Sequence, residues 1–77
     1  MALYPNPAKD KVILNLLSEQ ILRDRTITIT NMLGQTVMEL TTDKKVTEIN
    51  VSSLESGVYF LTSKGEDGFG TKKLVVE

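Results

Sequence analysis

"RTITITN", residues 25–31, decides the fold class. Thr26, Thr28 and Thr30 alternate with Ile27 and Ile29. A period of two puts hydroxyls on one face and isoleucines on the other, the pattern of a strand with one buried side. Every residue from Thr26 to Thr30 is β-branched, which suits a pleated surface. "NMLGQ" follows, and Gly34 supplies the positive φ that a tight hairpin needs. "TVMEL", residues 36–40, is the returning strand, and the polar "TTDKK" after it is a loop.

The same alternation extends in both directions. Upstream, "KVILNLL" (residues 11–17) is apolar and β-rich. Downstream, "VTEINV" (residues 46–51) sets Val46, Glu48 and Asn50 on one parity and Thr47, Ile49 and Val51 on the other. "SSLESG" is a turn. "GVYFLTSK", residues 57–64, is the most apolar strand and is expected at the centre of a sheet. "GEDGFG" (residues 65–70) holds three of the five glycines and reads as a hairpin loop, with "TKKLVVE" as the last strand. Leu74 and Val76 point to the core and Lys73 and Val75 outward; Lys72, on the core parity, must escape at the strand's start. "LSEQILRDR", residues 17–25, is expected to be a loop with a hydrophobic anchor. Strands recurring about every ten residues predict an all-β fold, a small antiparallel sandwich or a barrel, rather than βαβ units. The 77 residues suffice for a single domain, 1–77, of modest stability.

Composition bounds the chemistry. Net charge is −1, so no general field draws nucleic acid or an acidic membrane. Lys44–Lys45 and Lys72–Lys73 are pairs rather than patches. There is no cysteine and no histidine, which excludes disulfides, thiolate metal sites and the usual general base near neutral pH. Glu66 and Asp67 lack the spacing of a calcium loop. No apolar run reaches the roughly 20 residues of a membrane span. No catalytic residues, no cofactor and no metal site are expected, and the chain does not read as an enzyme.

Two motifs remain. "LYPNPAKD", residues 3–10, contains both prolines, Pro5 and Pro7. Neither can donate to a sheet ladder, and each pushes Tyr4 or Asn6 toward extended backbone. A short edge strand at Leu3–Tyr4 should stop at Pro5 and turn rigidly, with the prolines blunting an exposed edge. In "LESGVY", Leu54, Gly57 and Tyr59 are similar to the tyrosine corner of immunoglobulin-like sandwiches, where a buried ring sends its hydroxyl to upstream backbone. Tyr4 and Tyr59 are both expected in the core, which leaves few rings for stacking on a ligand.

"YPNPAKD", "ITNMLGQTV", "INVSSLESGVYFL" and "KKLVV", in this order from Tyr4 to Val76, resemble the type A C-terminal sorting domain of the type IX secretion system. The resemblance implies a seven-strand immunoglobulin-like sandwich. It implies a secretion signal that sends an N-terminal cargo domain from the periplasm through outer-membrane secretion machinery. It further implies a sortase-like surface transpeptidase as a partner, and a secreted or cell-surface location. The motif residues it marks are Tyr4, Pro5, Asn6, Pro7, Gly34, Leu54, Gly57, Tyr59 and the run Lys72, Lys73, Leu74, Val75, Val76. Members of this family often end on a basic residue, whereas this sequence ends on Glu77, with Lys72 and Lys73 just before it. The alternative reading from the residues is a structural, adhesive or carbohydrate-binding module of a large extracellular protein.

Overall fold

The computed structural model describes residues 1–16, 24–65 and 68–77. Seven strands occur in chain order: β1 (Ala2–Tyr4), β2 (Lys11–Asn15), β3 (Arg25–Thr30), β4 (Thr36–Thr42), β5 (Val46–Asn50), β6 (Gly57–Gly65) and β7 (Gly68–Val76). They form a three-stranded sheet, β1-β2-β5, and a four-stranded sheet, β4-β3-β6-β7. All strand pairs are antiparallel. The fold is an all-β sandwich, one of the two architectures that the strand spacing allows and the immunoglobulin-like one that the family resemblance implies, with β4 kept beside β3 by their hairpin.

The core lies between the sheets. Ile27 and Ile29 of β3 meet Val12 and Leu14 of β2, Ile49 and Val51 around β5, Leu61 of β6 and Leu74 of β7 in one cluster. Burying each such side chain contributes about 1.5–3 kcal/mol. The threonine face of β3 stays half-buried, on the outside of the larger sheet. β6 is an inner strand, as its apolar content predicts.

Several expectations change. Tyr4 is not a core residue: it is 47% exposed, and Leu3 is buried in its place. β1 is so short that alternation gives the core only one of its side chains, and Tyr4 falls opposite Ile13 on the outer face. The "GEDGFG" loop is shorter than its glycines suggest. Gly65 and Gly68 face each other as the last pair of the β6–β7 ladder, so Phe69 and Gly70 are strand residues. Glu66, Asp67 and residues 17–23, where the anchored loop was expected, lie outside the described residues. The strand at "KVILNLL" ends at Asn15, although Leu16 is still buried.

Lys72 does not sit at the strand's start but in mid-strand, opposite Leu61, and is exposed although its parity points inward. The reason is a mismatch of sheet size. Strands of 3, 5 and 5 residues cannot cover strands of 6, 7, 9 and 9. Only Leu74 and Val76 of β7 are buried in the core.

Candidate functional site

The motif residues fall into two groups. The first gathers at one end of the sandwich. Asn31 closes the β3–β4 hairpin: its side-chain Oδ1 accepts from the backbone N–H of Leu33 (2.9 Å) and of Gln35 (3.0 Å). Its Nδ2 donates to Gln35 Oε1 at 3.0 Å. The N–H of Gly34 donates to the Asn31 carbonyl at 3.0 Å, and that of Asn31 to the Gln35 carbonyl at 2.9 Å. Asparagine at the first turn position and a glycine at φ 83° three residues later is the pattern of a type I turn completed by a glycine bulge.

Beside this turn runs a groove lined by Asn31, Val37, Ser53, Leu54, Glu55 and Tyr59. Tyr59 is 7% exposed, and its hydroxyl donates to the Glu55 carbonyl at 2.6 Å. That is the corner geometry expected of "LESGVY": the ring packs inward while the phenol satisfies a carbonyl of the crossing between sheets. Gly57 opens β6 opposite Val76. Leu54 is half-buried against the core.

The second group joins the two ends of the chain. β1 ends at Tyr4, as the prolines predict, and the segment after it crosses to the outer edge of β7. Asn6 Nδ2 donates to the Lys73 carbonyl at 2.9 Å, and Asn6 Oδ1 accepts from the Val75 N–H at 3.0 Å. The Ala8 N–H donates to the Val75 carbonyl and the Glu77 N–H to the Ala8 carbonyl, each at 2.8 Å. Ala8 and Val76 form an isolated parallel bridge, and Ala8 is fully buried. Pro5 and Pro7 are exposed on either side of Asn6. From Lys73 onward the outer edge of β7 is occupied by the chain's own start. Phe69, Thr71, Lys72 and Lys73 remain exposed.

Sequence reasoning missed three of these residues. Ala8 carries no local signal, because its burial depends on β7. Asn31 was legible from the turn chemistry of "NMLG". Arg25 shares parity with Ile27 and Ile29, which could have flagged it as inward. It is buried and donates from Nε to Ser63 Oγ at 2.8 Å and from an Nη to the Ser63 carbonyl at 3.4 Å.

The order of motifs, the two-sheet fold and the joined termini all bear on the comparison with known families. The family model described as the secretion system C-terminal sorting domain matches residues 2–77. The chain belongs to that family. A search of curated proteins returned no match. The sorting domain carries a type IX secretion signal, and its place is on a route through the outer membrane to the exterior or the cell surface. Its partners are therefore the type IX machinery and an N-terminal cargo. Among the described residues no helix is long and apolar enough to cross a membrane.

Proposed function

We propose that the sorting domain acts as a folded export address, that its recognition surface includes the seam between Asn6 and β7, and that its cargo becomes attached to the cell surface after a sortase-like transpeptidase removes the domain. The observation that carries this reading is the pair of Asn6 bonds to Lys73 and Val75. They merge the "YPNP" and "KKLVV" motifs into one surface, so a receptor touching both would read a completed fold rather than a linear peptide. Beside the seam, Lys73 faces outward and Phe69 is 75% exposed, a cation and an apolar ring on one strand. The domain works by binding and not by catalysis, in keeping with a chain that has neither histidine nor cysteine.

The test is a fusion of this chain to the C-terminus of a periplasmic reporter in a host with type IX machinery. The wild-type fusion should reach the medium or the surface. Lys73→Glu should block export while the melting temperature is kept. Reporter retained in the periplasm by the wild-type domain defeats the reading; normal export of both Lys73→Glu and Val75→Asp moves recognition away from β7.

A further inference from the structure

Among the described residues the most exposed large apolar side chain is Leu33, at 84%, and its neighbour Met32 is 67% exposed. A single exposed leucine is ordinary on a protein surface. Two adjacent apolar side chains at the apex of a hairpin are different when the hairpin is rigid. Here Asn31 accepts from Leu33 and Gln35, and two backbone bonds close the turn beneath them. The pair is thus held in water in a fixed pose, and binding it requires little further ordering of the backbone.

We infer that Met32 and Leu33 form an apolar plug that inserts into a concave, uncharged pocket on a protein of the export path. This rests on the export reading given above. The convex shape of the tip excludes a second copy of the chain. A stable interface needs roughly 800 Å² from each partner, and two convex turns meeting tip to tip bury only a fraction of that. A convex tip buries most of its surface in a concavity, where the groove of Val37 and Leu54 beside the turn can extend the contact. The charge around the tip separates a protein pocket from a lipid surface. No residue from Asn31 to Met38 is charged, and the one charged residue lining the groove is Glu55. Interfacial membrane anchors combine apolar side chains with cations that meet anionic headgroups; the tip has no such cation.

The experiment uses the reporter fusion with Met32→Gln and Leu33→Gln together, and with the swap Met32→Leu and Leu33→Met. Both positions are exposed, so both variants should melt as the wild type does. The glutamine pair should lower export roughly tenfold or more, as loss of a buried apolar anchor does; the swap keeps the apolar surface and should be exported normally. Wild-type fusion left in the periplasm defeats the export reading itself. Export of the wild type and of the glutamine pair to the same extent overturns the plug alone, as does a swap that fails as badly as the glutamine pair. The purified domain is also floated with vesicles of neutral phosphatidylcholine and with vesicles containing anionic lipid. Binding that the wild type shows and the glutamine pair loses would reassign the tip to a lipid surface and overturn the protein pocket.

Discussion

Asn31 and Asn6 perform the same chemistry at opposite ranges. Each uses a side-chain amide to satisfy backbone groups of an irregular segment. Asn31 reaches residues two and four positions away. Asn6 reaches residues 67 and 69 positions away. Closing the short loop costs little chain entropy, so the Asn31 turn can form with its own hairpin. The Asn6 seam exists only after β7 has paired with β6 and the two sheets have met. One motif shapes a local tip; the other reports that the whole sandwich is assembled.

The largest expected effect tests the dependence of the seam on the core. Leu74 is fully buried between two residues that Asn6 bonds. Leu74→Asp should cost more than about 4 kcal/mol, since it places a carboxylate among aliphatic side chains. Loss of the cooperative thermal transition, followed by circular dichroism, is the expected result. A variant that still protects the Val75 amide from exchange would show that the seam does not need the packed core.

Gly34→Val attacks the other member of the comparison. At φ 83° a β-branched residue is strained, and the cost should be about 1–3 kcal/mol. The strain is confined to the turn, so the amides of Val75 and Glu77 should keep their protection relative to the remaining global stability. Faster exchange at the seam than the fall in stability accounts for would couple the two regions and break the contrast.

Asn6→Ala removes two hydrogen bonds and should cost about 1–2 kcal/mol. The Val75 amide should exchange faster while the Glu77 amide, held by Ala8, is less affected. An unchanged melting temperature and unchanged Val75 exchange would leave Ala8 as the sole tie. Asn31→Ala should be the mildest change, about 0.5–1 kcal/mol, because the backbone bonds of Gly34 and Asn31 persist without the side chain. A larger loss from Asn31→Ala than from Asn6→Ala in parallel urea titrations would invert the comparison.

Sequence alone determined whatever rests on near neighbours. Alternation of Thr and Ile specified β3 and its buried face, because side chains two apart share a side of a strand. Gly34 specified a turn, because only a glycine takes its positive φ without strain. Gly57 and Tyr59 marked the corner, whose hydroxyl partner Glu55 is four residues away. The two prolines ended β1 by removing donors from the ladder.

Tertiary structure decided the rest. Parity said that Lys72 points inward, but only the smaller area of the opposing sheet leaves it in solvent. Tyr4 looked like core by its type, and the brevity of β1 turned it outward. The glycines of residues 65–70 resembled a loop, yet pairing with β6 drew Phe69 and Gly70 into a strand. Ala8 and Asn6 have no local pattern that announces β7 as their partner; their bonds are set by where a chain end lands once two sheets have packed. Short-range periodicity and backbone sterics are written residue by residue, whereas contacts between distant segments depend on the area and placement of entire sheets.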